Sequence, residues 1–246
     1  MKEAQNIKDF LEKSADSYHN TIIKDWEKLY HKKREYLFNT LKQYYLPGTA
    51  LELGSADGIL TKRYCNEFEH VTVVDGSELF LKQIKQKIKA GNLSLFCSLF
   101  EEWETKNKFN NIFMTHILEH LDNPVSVLTK ATKWLAKKGR IFIAVPNADS
   151  LHRIIGVKLG MIPAKNSLNE QDVILGHKRI YTPKLLKSHV AKAGLKIVKY
   201  GGCMVKPLSN RQIEAQWDDK LIDAFFACSN DLPDLCSEIY IVAERL

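Results

Sequence analysis

The stretch "THILEHLDNP", Thr115 to Pro124, sets His116, Glu119 and His120 in an H-x-x-E-H spacing. On a helix, that spacing brings two imidazoles and a carboxylate onto neighbouring turns, the arrangement of a zinc peptidase. Two other stretches carry chemistry. "LELGSADG" (Leu51–Gly58) is an apolar run closing in a tight, small-residue turn, and "VVDGS" (Val73–Ser77) ends a valine-rich run in Asp75. A carboxylate at the end of such a run can accept hydrogen bonds from both hydroxyls of a ribose. Glu52 points from the first run toward the same place. A buried glutamate needs a partner, which a cationic or hydrogen-bonding ligand can supply.

The elements that must position these residues follow from pattern and punctuation. Residues 5–45 read as a polar, aromatic-rich helix, with Tyr18, Trp26, Tyr30, Tyr36, Phe38 and Tyr44 at roughly helical spacing until Pro47-Gly48 breaks the chain. "TALELG" reads as a buried strand, "ILTKRYCNEF" as a helix and "HVTVVDGS" as a second strand. Ser77 caps the next helix, whose Phe80, Ile84 and Ile88 share a face and whose stop is expected at Gly91. "LSLFCSLF" and "FNNIFMTH" are the third and fourth strands. Asn123 and Pro124 open a helix with Pro124, Leu128, Ala131 and Leu135 on one face. Lys137 and Lys138 are expected in its last turn and Gly139 at its end. "RIFIAVP" is the fifth strand. Beyond residue 146 the pattern loosens: an irregular stretch to about 182, a helix from Pro183, a strand near "LKIVKYGGCMVK", an insertion holding Trp217, Phe225 and Phe226, and a closing strand "SEIYIVAERL".

Strand–helix alternation of this kind predicts an α/β fold with a parallel sheet covered on both faces. Ligands then sit outside the carboxyl ends of the strands, where Asp75 and the Gly54 turn meet. The same reading weakens the zinc spacing. His116 ends a strand and the helix starts only near Asn123, so the pair need not converge, and no third ligand can be named; no metal is expected. A dinucleotide fingerprint is also incomplete. Ala56 and Ile59 stand where two of its glycines would be, and Gly58 stands one residue early.

Bulk properties bound the remainder. The chain has 246 residues, 45% hydrophobic and 26% charged, which suits one globular unit. No apolar run is long enough to span a bilayer, and "MKEAQNIKDF" has no secretion signal, so no membrane association and a cytoplasmic location are expected. Five scattered cysteines form no C-x-x-C. The net charge of +7 lies largely on solvated helix faces such as "LKQIKQKIKA", without a basic run interleaved with aromatics, so nucleic acid is not an expected partner.

"LELGSADG", "VVDGS", "FNNIFMTHILEHLDNP", "LAKKGRIFIAVPN" and "GHKRIYTPKLLKSHVAKAGLKIV", in this order over roughly residues 35–205, resemble the class I S-adenosylmethionine (SAM)-dependent methyltransferases. The likeness is to the small-molecule group similar to ubiquinone-biosynthesis and sugar-modifying methyltransferases. The family's loop usually carries glycine where Ala56 stands. The resemblance implies a Rossmann-like, seven-stranded, mostly parallel sheet, its last strand inserted antiparallel between the fifth and sixth. It implies one methyltransferase domain over 1–246: a helical cap at 1–45, a SAM-binding core at 46–146, and lid insertions on the substrate side at 147–182 and 206–235. It implies SAM as cofactor, S-adenosylhomocysteine (SAH) as product and a small-molecule acceptor. Carried over by position, Glu52, Gly54, Ser55 and Gly58 line the methionine part. Asp75, with Gly76 and Ser77 beside it, binds ribose, and Leu99 and Phe100 flank adenine. Thr115 and His116 pass near the sulfonium, and His120 packs beneath the pocket.

Methyl transfer from a sulfonium is an in-line displacement with a neutral leaving group, so positioning and a dry pocket supply much of the acceleration. A hydroxyl acceptor would use a base, and histidine titrates in the right range. The candidates are His116, favoured by position, then His152 and His177, with Tyr181 as a hydrogen-bonding partner. Arg153, Lys158, Lys178 and Arg179 could meet an anionic group on the acceptor, which is expected to be a sugar-like or anionic metabolite methylated on O or N. An RNA or protein methyltransferase, a nucleotide-dependent oxidoreductase and a non-catalytic SAM-binding protein are the competing readings. The oligomeric state is left open.

Overall fold

The computed structural model describes residues 7, 9–13, 15 and 24–246. Tyr18 and much of the helix expected over 5–45 lie outside the described residues. After a short 3-10 turn at Lys24–Trp26, helix α1 runs over Glu27–Lys42. Then follow β1 (Thr49–Leu53), α2 (Ile59–Glu67), β2 (His70–Asp75), α3 (Glu78–Lys87), β3 (Leu93–Cys97) and β4 (Phe109–Thr115). Next come α4 (Pro124–Trp134), β5 (Leu135–Pro146), α5 (Leu151–Lys158), α6 (Glu170–Leu175) and α7 (Pro183–Lys192). The chain ends with β6 (Leu195–Val205), α8 (Asn210–Gln216), α9 (Asp219–Ala227) and β7 (Cys236–Arg245).

The seven strands form one sheet in the order β3-β2-β1-β4-β5-β7-β6. The first five pair in parallel, and β7 lies antiparallel between β5 and β6. This is the Rossmann-like sheet implied by the sequence motifs. The strand order reverses between β1 and β4, which opens a crevice at their carboxyl ends.

Period-2 alternation gives the central strands an apolar residue on each face. Leu51, Leu53, Ile112, Met114, Ile141 and Ile143 face one layer, packed with Leu128, Ala131 and Trp134 of α4 and Leu186 of α7. Ala50, Val73, Phe113, Phe142 and Val242 face the other, packed with Leu37, Phe38 and Leu41 of α1 and Tyr64 of α2. Tyr64, Phe113 and Phe142 stack there in series, at centroid separations of 4.0 and 4.8 Å. Glu52 lies on this second face between apolar neighbours, so its burial follows from its register in β1.

Two helix ends differ from expectation. α3 ends at Lys87 with Ile88 as its cap, short of Gly91. α4 ends at Trp134, and Lys137, Lys138 and Gly139 belong to β5. β5 pairs with Phe109 at Leu135, then slips register before Arg140. Lys138 adopts a left-handed φ of 64° within that slip. Gly139 serves close approach: an added Cβ would lie 2.9 Å from the Phe109 carbonyl oxygen and 3.1 Å from that of Ala136. Backbone atoms cannot yield as a side-chain tip can, so Gly139→Ala is expected to destabilise the protein by about 1–3 kcal/mol, read as a lower urea midpoint at unchanged slope.

Candidate functional site

A cavity of about 1150 Å³ opens along the carboxyl edge of β1, β2, β4 and β5. Single drug-sized ligands occupy roughly 300–1,000 Å³, so this volume holds a nucleoside-sized cofactor and a second molecule. Its two halves differ in charge.

The half at β1 and β2 is acidic. Asp75 Oδ2 accepts from the Ser55 N–H (2.8 Å) and hydroxyl (3.0 Å), and Oδ1 accepts from the Ser77 N–H (2.9 Å). Burial raises its pKa, opposed by these donors. A carboxylate offers about four acceptor positions. Ser55, Ser77 and the Ala56 backbone engage them, and the Ser55 hydroxyl, a rotor, can free one. Glu52 accepts from the Thr61 hydroxyl at 2.6 Å. Burial pushes its pKa up to about 8, with Asp75 and Asp57 adding to the effect. Asp57 Oδ2 is buried with no hydrogen-bond partner, while Oδ1 accepts from Tyr30 and from the Ile59 N–H. A protonated glutamate beside an orphaned carboxylate oxygen is a cradle for a cation.

The loop between β1 and α2 shapes this half. A Cβ on Gly54 would lie 2.1 Å from Ile117 Cδ1. Ala56 takes a left-handed φ of 45°, which disfavours a side chain and suits the glycine usual there. Leu99 and Phe100 complete the wall, and Leu11 lies over Gly76 from the N-terminal segment. Glu12 of that segment accepts from the Leu79 N–H and bonds the Ser77 hydroxyl, so an acid caps α3 beside the cavity. Ser77 and Gly58 do not line the cavity. Ser77 caps α3, and Gly58 (φ 81°) starts α2 under Ile84.

The half at β4, β5 and β7 holds buried charge of both signs. His116 follows β4 with a left-handed φ of 57°, which turns its ring sideways across the sheet end. Its Nδ1 lies 3.1 Å from Glu119 Oε1 and its Nε2 3.0 Å from Glu238 Oε2. Glu238 also pairs with Lys33, and with Arg34 at 3.5 Å, both from the inner face of α1. Burial would lower the pKa of His116, but Glu238 and Glu119 outweigh it and raise the value. Burial would raise that of Glu238, but Lys33, His116 and Arg34 hold it well below the ordinary value. With both ring nitrogens committed to carboxylates, the ring has no free lone pair to offer. His116 is therefore a charge bridge, which corrects its expected role as base.

Tyr181, the expected hydrogen-bonding partner of a base, lies outside the cavity wall. It is fully buried against the Leu118 carbonyl (3.4 Å) and His189 Nδ1 (3.2 Å). His152 lines the cavity with Nδ1 buried and unpartnered. Burial and the neighbouring Lys206, Lys33 and Arg153 push its pKa down to about 2. His177 also lines the cavity, its Nδ1 2.9 Å from Asp172 Oδ1.

The expected anion-binding cations are mostly committed elsewhere. Arg153 bonds the carbonyls of Lys165 and Ser167 and approaches Asp172 at 3.8 Å. Arg179 bonds the carbonyls of Leu118, Leu121 and Asp122. Lys178 pairs with Asp122, and Lys158 is not on the wall. Lys206 takes their place, with Lys33 beside it on the wall but paired to Glu238. Lys206 is 4% exposed and on the cavity wall, and among the described residues no carboxylate pairs with it. Burial and Lys33 lower its pKa well below the lysine value. One signal for Lys33 was legible: it interrupts the buried stripe Leu29, Tyr30, Leu37, Leu41 of α1. Glu238 is likewise a lone charge in the apolar run of β7.

A sheet of this order, with an acid ending β2 and a glycine turn ending β1, defines a class of nucleoside-cofactor transferases. Residues 26–200 match the family model described as a methyltransferase domain. The chain is 27% identical over 168 residues to the ubiquinone biosynthesis O-methyltransferase of Aeromonas salmonicida (strain A449), covering 65% of this chain and 68% of that one. Among solved structures it is similar to magnesium protoporphyrin IX methyltransferase (ChlM) from Synechocystis PCC 6803 with bound SAH. The TM-score is 0.66 at 12% identity, over 98% and 99% of the two chains. It is also similar to the N-methyltransferase NodS from Bradyrhizobium japonicum WM9 in complex with SAH. There the TM-score is 0.56 at 12% identity, over 89% and 87%. The chain belongs to the methyltransferase-domain family, within the class I SAM-dependent methyltransferases. Among the described residues, no helix is long and apolar enough to cross a membrane.

Because Glu238 is the shared counter-charge of Lys33, Arg34 and His116, Glu238→Ala is expected to lose about 3–5 kcal/mol in chemical denaturation. The pH dependence has two limbs. His116 gains stability from its proton below its unfolded value near 6.5, and loses it as pH rises through the higher folded value. Glu238 contributes above its unfolded value near 4.5, and that share is lost as pH falls through the lower folded value. Wild-type stability should decline at both ends, and Glu238→Ala should flatten both limbs.

Proposed function

We propose that this enzyme transfers the methyl group of SAM to an O or N atom of a small anionic metabolite. The acidic half takes the cofactor. Asp75 receives the ribose hydroxyls, with Ser55 giving up one of its bonds. Glu52 and Asp57 receive the α-amino end, and Leu99 and Phe100 flank the adenine. When bound, SAM supplies an electrophilic methyl carbon and leaves as a neutral thioether. The protein need not protonate a leaving group; it must hold the acceptor in line and keep water out. Ile7, Leu11 and the stretch from α5 to α6 contribute to the wall that would do so.

The acceptor takes the other half. The observation that supports an anionic substrate is Lys206, buried on the wall beside Lys33 with no counter-ion of its own among the described residues. A carboxylate or phosphate on the acceptor would neutralise Lys206 and accept a hydrogen bond from the neutral His152 ring. The likeness to an O-methyltransferase of ubiquinone biosynthesis and to an N-methyltransferase accords with a small acceptor and leaves the atom open. His177 replaces His116 as the residue nearest to acid–base work, since Asp172 orients its ring and Nε2 has no hydrogen-bond partner among the described residues.

Incubation with methyl-labelled SAM and a metabolite extract, followed by anion-exchange separation and mass spectrometry, is expected to place label in retained, small products. Label only in neutral compounds, RNA or protein would overturn the substrate reading. With the product in hand, Lys206→Met should raise KM for the acceptor at least about tenfold, the worth of one charge-assisted hydrogen bond, and leave SAH affinity unchanged. The cofactor half makes its own prediction. Glu52 is protonated near pH 7 in the free protein. An arriving ammonium favours its ionised form, so SAH binding should release a proton and tighten as pH rises toward 8. Calorimetry in buffers of different ionisation enthalpy reads the proton, and Glu52→Gln should abolish its release.

A further inference from the structure

At the turn after β4, the H-x-x-E-H residues meet a third partner that lies far along the chain. The carboxylate of Glu119 and one ring nitrogen each of His120 and His177 lie within 4.8 Å of one another. The two rings meet edge to face at 4.8 Å between centroids. Glu119 is 0% exposed, and its Oε2 is buried with no hydrogen-bond partner. A carboxylate oxygen stripped of water and left unpaired costs about 1–3 kcal/mol or more, unless something binds it.

Each of the three groups is held from behind. His116 Nδ1 takes Glu119 Oε1, which leaves Oε2 for another partner. Asp172 takes His177 Nδ1, which leaves Nε2. The backbone of Gly176 bonds the His120 ring. Asp172 is itself fixed by a reciprocal cap with Asn169 and by Arg153. Ligand histidines are held in this way, with the far nitrogen on a carboxylate or carbonyl so that the near lone pair faces the ion. The Lys178 N–H donates to the Glu119 carbonyl, and Arg179 clamps the carbonyls of Leu118, Leu121 and Asp122, so the turn and the third ligand's loop move as one.

We infer that Glu119, His120 and His177 form a binding site for one divalent transition-metal ion, with zinc the best match to two imidazoles and one carboxylate. Three protein ligands leave a coordination position open. His120 and His177 line the acceptor half of the cavity, so that position faces the acceptor. An acceptor oxygen can occupy it; a hydroxyl bound there loses its proton to water more readily, the O–H electron pair staying on oxygen. His177 Nε2 is then a ligand rather than the base. This role rests on the methyltransferase reading, whereas the ion site does not.

The test uses tag-free, full-length protein stripped with chelator and titrated with Co²⁺ and Zn²⁺. One Co²⁺ per chain with visible d–d absorption, displaced by Zn²⁺, is expected. His120→Gln and His177→Gln should each remove the absorption. Asp172→Asn, which keeps all three ligands, should weaken affinity by about 10–100-fold. His189→Gln, at a half-buried histidine outside the cluster, should bind as wild type does. If either ligand variant fails to fold, the Asp172→Asn shift and the wild-type stoichiometry still decide. Absence of a stoichiometric ion on the wild type, or equal affinity in the ligand variants, overturns the site. SAH calorimetry on the same metal-free sample separates the two readings. Heat with SAH and none with metal removes the ion site alone; heat with metal and none with SAH leaves the site and removes the methyltransferase reading.

Discussion

The carboxylate of Glu238 is the counter-charge on which the cavity depends. It stands on β7, the strand inserted antiparallel between β5 and β6, and meets Lys33 and Arg34 from α1 and His116 from the end of β4. Several cations within reach of one another would repel in a water-poor space, and a single buried anion lets them stay together. That contact joins the helix that roofs the crevice to the strand that floors it. The left-handed turn at His116 is part of the same arrangement, since only that backbone lets the ring reach Glu119 and Glu238 at once.

Charge is sorted along the crevice as a consequence. Glu52, Asp57 and Asp75 gather at β1 and β2, and Lys33, Lys206 and Arg153 gather toward β5, β6 and α5. The proposed function uses this sorting, with the ammonium and sulfonium of the cofactor at one end and an anionic acceptor at the other. The imidazolium of His116 separates the two halves. His120 and His177 of the proposed ion site line the same cavity.

Much of this frame is legible along the chain. Alternating apolar strands identify β1, β2, β4 and β5 because each is buried on both faces. Ser77 and Asn123 announce α3 and α4 because a cap bonds within its own turn. Asp75 and the Gly54 turn point to a ribose-binding crevice because their geometry is local. Gly139 misled for the opposite reason. Read locally it ends a helix, yet it is there because Phe109 and Leu135 crowd it from another strand and from β5's own start.

The roles of the charged residues were decided by partners distant in sequence. His116 looks like a base until Glu238 appears at its Nε2, and Tyr181 looks available until Leu118 and His189 enclose it. Glu119 and His120 lack a third ligand until the loop after α6 brings His177 beside them. By itself, the sequence determined the sheet, its order of elements and the edge where a cofactor binds, because burial period, caps and turns act over a few residues. Only the tertiary structure decided which side chains are charged, paired or free there. Those properties depend on desolvation and on neighbours contributed by β7, α1 and the α6 loop.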